Sequence, residues 1–159
     1  MNIRSIAAAL AIAAAFAIPA FAHEYEAGSL HIGHPWARAT AEGMPTGAAF
    51  FSVRNDGETA DRLLGASTDR AETVEIHRGV MEDGIARMRP VEAVDLPAGE
   101  EIVFAPGGYH LMLIGLDGAL VEGTRFPLTL EFEHAGEVVV EIAVDAPGAG
   151  ATAEEQHVH

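Results

Sequence analysis

Short runs of alternating apolar and polar residues, separated by turn residues, fill the chain after about residue 26. Alternation with a period of two is typical of β-strands that bury one face. The 3.6-residue period of an amphipathic helix is missing from this region. The pattern predicts an all-β protein with nine strands, at residues 30–38, 48–54, 62–68, 73–78, 85–91, 101–104, 110–116, 126–133 and 138–144.

The segments between these predicted strands are rich in Gly, Pro, Asn and Asp. Such residues favour chain reversals because they tolerate a positive φ or, in Pro, fix φ. Asn55-Asp56-Gly57, Asp83-Gly84 and Pro106-Gly107-Gly108 are examples. Short strands joined by tight turns are typical of antiparallel β-sandwiches and β-barrels. A length of 159 residues fits one such domain.

The first 22 residues have the pattern of a secretory signal peptide. Arg4 precedes an uninterrupted apolar segment at residues 6–18, and Ala20-Phe21-Ala22 supplies the small residues that signal peptidase recognises. The apolar segment is too short to span a bilayer, which needs about 20 residues. An uncleaved anchor or a buried helix is the alternative interpretation. We expect cleavage after Ala22, export to the periplasm and no membrane span in the mature protein.

After cleavage, the chain is expected to consist of a β-sandwich domain at residues 23–145 and a tail at residues 146–159. The tail is rich in Ala, Gly and Glu and lacks an apolar face. Such a segment buries too little apolar surface to offset the entropy lost on ordering, so we expect it to be flexible.

Composition excludes several classes of function. The chain has no Cys, which excludes disulfide frameworks, thiolate metal sites, cysteine nucleophiles and lipoproteins anchored through Cys. Its 24 Asp and Glu residues outnumber 9 basic residues, all of them Arg, and the net charge is −15. Because this charge repels phosphate backbones and anionic lipids, we expect no nucleic-acid partner. The sequence also shows no nucleophile and base in the arrangement of a hydrolase.

In the absence of thiols, His and Met are the side chains that could bind a soft or borderline metal ion. His110 and Met112 are two residues apart in a predicted strand, so both lie on the same face of it. Taken alone, such a pair is more often explained by ordinary core packing or by a solvated His than by a metal site.

A second His and Met pair is predicted by the turn at Asp83-Gly84. This dipeptide favours a two-residue hairpin, in which Met88 lies opposite Gly79. His77 and Met88 are then diagonal neighbours on one face, about 7–8 Å apart at the backbone. Gly79 would leave room for the Met88 side chain. The two pairs converge if this hairpin packs beside the strand that carries His110.

Two imidazoles and two thioethers form a donor set with a clear preference. Thioether sulfur is soft and uncharged, so it favours Cu(I) over Zn(II), Ca(II) or Mg(II), and imidazole binds copper in either oxidation state. A thiolate would bind Cu(I) more strongly but is open to oxidation outside the cytoplasm. The predicted set suits a site that holds Cu(I) and releases it to stronger ligands.

The joint spacing is more specific than either pair. Ten residues separate His77 from Met88, 21 separate Met88 from His110, and one separates His110 from Met112. This spacing resembles the copper-binding motif of the periplasmic PCuAC copper chaperone family. The resemblance extends from about residue 32 to residue 144 and includes the segments His34-Pro35-Trp36-Ala37-Arg38, Gly47-Ala48-Ala49-Phe50-Phe51, Asp61-Arg62-Leu63-Leu64, Met88-Arg89-Pro90-Val91 and Gly107-Gly108-Tyr109-His110-Leu111-Met112-Leu113.

The resemblance implies a cupredoxin-like antiparallel β-sandwich with Greek-key connections, which binds one Cu(I) through His77, Met88, His110 and Met112. It also implies a non-enzymatic periplasmic chaperone that delivers copper to a respiratory oxidase, typically to the CuA centre of cytochrome c oxidase, or to another copper chaperone. We expect the mature protein to be a monomer.

Four further residues near the motif leave alternatives open. Many members of the family have Met directly after the first His ligand, where this chain has Arg78. The hairpin register places Met81 on the same face as His77, where it is either an additional ligand or, as we favour, a packing residue. Met44, in a Gly-Met-Pro loop, is expected to be an exposed turn residue. Trp36 fits either the core or the edge of the site.

The ends of the mature chain carry a second candidate copper site. Cleavage would expose the amino group of His23, which with its ring nitrogen could chelate Cu(II), and His157 and His159 could add imidazoles. Histidines in a tail without fixed structure are otherwise simply solvated.

Other functions are compatible with parts of the sequence. A copper enzyme that uses His23 as an N-terminal ligand would need a second, rigidly placed His, whereas the motif supplies Met. A copper buffering or tolerance protein without dedicated delivery has the same sequence features as a chaperone. Electron transfer of the blue-copper type is excluded because its Cys ligand is missing.

Overall fold

The computed structural model describes residues 24–149. Within them the chain forms strands and turns but no helix, and so no helix there could span a membrane. The all-β prediction is confirmed. The strands are β1 (Tyr25–Ala27), β2 (Leu30–Arg38), β3 (Thr46–Asn55), β4 (Asp61–Ser67), β5 (Ala71–Glu82), β6 (Ile85–Pro90), β7 (Val94–Leu96), β8 (Glu101–Phe104), β9 (Tyr109–Leu116), β10 (Arg125–Phe132) and β11 (Gly136–Asp145).

All nine predicted strands are present, and two short ones were missed. β1 and β7 have three residues each, which is too short for an alternating pattern to stand out from a loop. The largest difference in length is in β5, which continues past Arg78 to Glu82. This extension is the first arm of the hairpin predicted from Asp83-Gly84. Both turn residues have a positive φ, 53° and 77°, as a two-residue hairpin requires.

The strands form one continuous hydrogen-bonded sheet that folds back on itself. Its order is β6-β5-β9-β8-β3-β2-β11-β10-β4-β7, with β1 added to β2 and a further pairing of β9 with β3. Most neighbours are antiparallel. β2 and β11 pair in parallel and join the two halves of the sheet, and β8 meets β9 in parallel through a single residue pair.

The two halves share one hydrophobic core. Phe51, Leu111 and Leu113 from the half that contains β3 and β9 lie in the same buried cluster as Leu128 and Val140 from β10 and β11. Each such side chain, when fully buried, stabilises the fold by about 1.5–3 kcal/mol. Two sheet faces that enclose one core make a β-sandwich, and the fold is the cupredoxin-like sandwich that the resemblance implied.

The half that contains β5, β6 and β9 has a second, outer face, and a β-bulge in β2 determines which residues reach it. The pairing of β2 with β3 shifts by one residue between Gly33 and Trp36, and His34 has a positive φ of 48°. A bulge of this kind reverses the alternation of the strand. Ile32 therefore faces the core before the bulge, whereas after it Ala37 faces the core and Trp36 the outer face.

The loop before β9 packs closely against the β5–β6 hairpin. The backbone N–H of Gly79 donates a hydrogen bond to the carbonyl oxygen of Gly108, at 3.1 Å. A Cβ atom on Gly79 would collide with the carbonyl oxygen of Gly107. The space above Gly79 is thus occupied by backbone rather than left for the side chain of Met88, and the contact fixes the hairpin to the start of β9.

Replacement of Gly79 tests this contact. We expect Gly79→Ala to lower the free energy of unfolding by about 1–3 kcal/mol, because backbone must move to admit the methyl group. Gly65→Ala in β4 is the matched control, since its Cβ would meet no atom closer than Glu131 Oε2 at 3.9 Å. Urea unfolding of both variants makes the comparison. Equal stability of the two would contradict the close approach of Gly107 to Gly79.

Candidate metal centre

The register of three strands brings the predicted His and Met residues together on the outer face. His77 on β5 lies directly opposite His110 on β9, and Met112 is the next residue on that face of β9. Met88 on β6 lies opposite Gly79, diagonal to His77. The hairpin register predicted from the sequence is confirmed, and the hairpin does pack beside the strand that carries His110.

These side chains differ in their exposure to solvent. His110 is 6% exposed, the side chain of His77 is 14% exposed, and Met88 is 51% exposed. Met112 is half-buried. The two imidazole rings lie 5.5 Å apart between their centroids. The cluster therefore has a buried side formed by the imidazoles and an open side formed by Met88.

A row of aromatic rings shields the buried side. Phe50 lies 6.3 Å from the ring of His110 and 4.6 Å from the ring of Trp36, measured between ring centroids. The guanidinium carbon of Arg38 is 5.7 Å from the centre of the Phe50 ring. Trp36 and Phe50 are both buried, yet neither belongs to the main core. Trp36 is thus a residue of the site edge. Sequence analysis did not assign Phe50 to the site, although this residue lies in the segment Gly47-Ala48-Ala49-Phe50-Phe51 that carries part of the resemblance.

Glu75 orients the ring of His77. Its carboxylate oxygen Oε2 lies 2.8 Å from His77 Nε2, so the ring donates its proton there. The other ring nitrogen, Nδ1, is buried and has no hydrogen-bond partner in the part of the chain that the structure describes. A carboxylate on one imidazole nitrogen is the arrangement that holds the other nitrogen ready for a metal ion. The unpartnered Nδ1, which is otherwise unfavourable, fits a metal ligand.

Burial favours the neutral form of His110. Desolvation lowers the pKa of His110 below its ordinary value, and the neighbouring His77 lowers it further, whereas a hydrogen bond with the backbone of Gly108 opposes the shift. A neutral imidazole has a free lone pair, and only this form coordinates metal. His110 therefore keeps its ability to bind a metal ion down to a lower pH than an exposed His does.

The described residues offer no alternative site built from hard ligands. Within residues 24–149, no three His, Asp or Glu side chains lie close enough together to hold a metal ion. A metal ion at the outer face would therefore have to use the thioethers of Met88 and Met112 beside the imidazoles.

The remaining candidates lie elsewhere or outside the described residues. Met44 is 49% exposed in the loop before β3, as expected of a turn residue. Met81 is 70% exposed, so the expectation that it packs in the hairpin is wrong. His23, His157 and His159 lie outside the described residues, as do the whole of the predicted signal peptide and most of the predicted tail.

Comparison with known proteins shows the family. The family model described as "Putative lipoprotein LpqE-like" matches residues 30–144. The chain belongs to this family. A protein of Leifsonia xyli subsp. xyli described as a putative lipoprotein is 32% identical over 120 residues, which are 75% of this chain and 71% of that protein.

Solved structures confirm the resemblance to PCuAC domains. The copper-bound PCuAC domain from PmoF2 is 34% identical with a TM-score of 0.69, and the match covers 79% of this chain and 99% of that one. A solution structure of a CuI-loaded protein from Deinococcus radiodurans is 23% identical with a TM-score of 0.59, and covers 79% and 83% of the two chains. At that identity the second match shows the fold alone.

The lowered pKa of His110 predicts a pH dependence of stability for the metal-free protein. Because the folded pKa is below the unfolded value of about 6.5, the unfolded state binds more protons, and stability is lost as the pH falls from about 6.5 through the folded pKa. One such group contributes a slope of at most about 1.4 kcal/mol per pH unit. Urea unfolding between pH 7.5 and 5 should show a shallower slope in His110→Gln. Identical slopes would contradict the lowered pKa.

Proposed function

We propose that this protein is a periplasmic Cu(I) chaperone that binds one ion through His77, Met88, His110 and Met112 and delivers it to a copper-receiving domain of a respiratory oxidase or to another copper chaperone. The observation that carries the proposal is the opposition of His77 and His110 on one sheet face, with Met88 and Met112 beside them. The unpartnered Nδ1 of His77 points to the same use. The copper-bound PCuAC domain among the similar structures supports it.

The chemistry of the four side chains favours Cu(I) as the cargo. All four ligands are uncharged when they bind, and two are soft thioethers, which Zn(II) and the hard cations bind weakly. The site therefore gains little from charge attraction and selects its ion by softness. The net charge of −15 attracts cations of every kind towards the protein, and the ligand set then discriminates among them.

The exposure of the site supports transfer rather than permanent storage. His77 and His110 are held by the sheet, by Glu75 and by the aromatic row, so their positions change little when the ion leaves. Met88 lies on an exposed edge strand and has an unbranched side chain that can rotate away. A ligand of the recipient can thus approach the ion from the side of Met88, while the imidazoles still hold it.

Two other functions are compatible with the same residues. A buffering or tolerance protein would bind Cu(I) at this site without direct delivery. A copper enzyme would use His23 together with a second, rigidly placed His. The proposed site does not include His23, and it combines its imidazoles with two thioethers. The relatives described as lipoproteins support a location in the cell envelope. We therefore propose a non-enzymatic role there, with copper transfer as its distinguishing property.

Removal of either thioether tests the ligand assignment. We expect Met88→Leu and Met112→Leu each to weaken Cu(I) binding at least about tenfold, a loss of about 1.4 kcal/mol, because Leu keeps the volume but has no donor atom. Competition with a chromophoric Cu(I) chelator measures the affinity. Met44→Leu is the matched control, since Met44 is exposed and lies in the loop before β3, not on the strands β5, β6 and β9 that carry the site. Unchanged affinity in both site variants would disprove the assignment.

Direct transfer separates a chaperone from a buffer. We expect the Cu(I)-loaded protein to load the soluble copper domain of an oxidase even when excess chelator traps any free ion. The charge of −15 predicts a basic docking face on the recipient, so transfer should slow as the salt concentration rises. Transfer that the chelator abolishes would show a buffer. Direct transfer that ignores salt would reject only the electrostatic docking.

A further inference from the structure

Met81 is a fifth potential copper ligand that the proposed set of four does not use. It lies on β5 opposite Ala86, two residues from Gly79, whose partner is Met88. Met81 and Met88 are therefore diagonal neighbours on the same face of the hairpin, a separation of about 7–8 Å that long side chains can bridge. The residue opposite, Ala86, is too small to cover the Met81 side chain.

The exposure of Met81 has no explanation in packing. A single exposed hydrophobic residue is common in proteins and needs no special account. Met81, however, is 70% exposed and adjoins the proposed ligand Met88, which is itself 51% exposed. Two neighbouring exposed thioethers contribute little to the core but present soft donors on the surface that also carries the metal cluster.

Exposure increases steadily along this surface. His110 is 6% exposed, the side chain of His77 is 14% exposed, Met88 is 51% exposed and Met81 is 70% exposed. These residues also follow one another across the outer face: His110 is on β9, His77 on β5 and Met88 on β6, and Met81 lies on β5 near the turn of the hairpin. The arrangement leads from a desolvated, imidazole-lined position to solvent through neutral sulfur donors.

We propose that Met81 is an outer Cu(I) ligand, which binds the ion transiently as it enters or leaves the site of four residues. This inference rests on the proposed function. In the exit step, a Cu–S bond to Met81 forms as a Cu–N bond to an imidazole breaks, while Met88 stays bound. The ion remains Cu(I), and no electron is transferred. The thioether carries no proton, so the Met81 bond neither releases nor takes one up.

Met81 serves exchange rather than affinity in this scheme. Its side chain is too exposed to be held in place before the ion arrives, so the binding of Cu(I) at rest depends on the four inner residues. An approaching ligand, in contrast, meets Met81 before it can reach the imidazoles. Loss of the Met81 sulfur should therefore slow exchange and leave the equilibrium affinity unchanged.

The experiment measures the rate at which excess chromophoric chelator removes Cu(I) from the loaded protein, using Met81→Leu. We expect the rate constant to fall about three- to tenfold, a barrier change of about 1 kcal/mol. The equilibrium affinity for Cu(I) and the thermal unfolding of the metal-free protein should match the unsubstituted chain. Met44→Leu is the matched control. Met44 lies in the loop before β3, two residues ahead of Thr46, whose partner on β9 is Ile114 rather than Met112.

Two results would overturn the inference. An unchanged removal rate in Met81→Leu would show that the ion does not use this sulfur. An equilibrium affinity that falls as far as the rate would make Met81 a resident ligand instead. Met88→Leu, measured in the same series, distinguishes these results from failure of the proposed function. If Met88→Leu binds Cu(I) with unchanged affinity, the site of four residues is itself disproved. If Met88→Leu loses affinity while Met81→Leu releases Cu(I) at the normal rate, only the role of Met81 as an outer ligand is disproved.

Discussion

The pairing of β5 with β9 is the constraint on which the rest of the site depends. One register places Ile76 opposite Leu111 and His77 opposite His110. Since side chains alternate between the two faces of a sheet, the contacts that bury Ile76 and Leu111 in the core also turn both imidazoles to the outer face. A shift by one residue would put His in the core and expose Leu, so the stability of the core holds the site in register.

The outer face has its own rigid support. The bulge at His34 turns Trp36 outward, where it packs on Phe50 and extends the aromatic row to His110. On the opposite side of the cluster, Gly79 lies beneath the backbone of Gly107. These contacts fix the imidazoles and the base of the hairpin. Met88, on the edge strand, lacks comparable cover and remains the movable part.

Rigid imidazoles and a movable thioether meet two opposing demands on a carrier. Selectivity requires ligands arranged before the ion arrives, and the pair of His residues with Glu75 provides this arrangement. Release requires that at least one bond be exchanged without unfolding, and an exposed, unbranched Met provides it. Uncharged ligands keep the affinity moderate. The acidic surface adds attraction for cations at longer range, but it does not choose between them.

Local physics made much of this protein predictable from its sequence. Period-two alternation located nine strands, and Asp83-Gly84 determined the hairpin register, because both depend on residues near in the chain. From the sequence, His77 and His110 could be expected to meet only if the hairpin packed beside the strand that carries His110. Whether it does depends on the pairing of two strands whose His residues are 33 positions apart in the chain. The face of the sheet on which Trp36 lies depends on the bulge in β2, which the alternation of apolar and polar residues does not reveal. The exposure of Met81 depends on which surfaces the rest of the fold leaves uncovered. The sequence by itself determined the donor atoms and the strands that carry them. Tertiary structure alone decided which donors meet and which face solvent, because burial is a property of the whole packed chain.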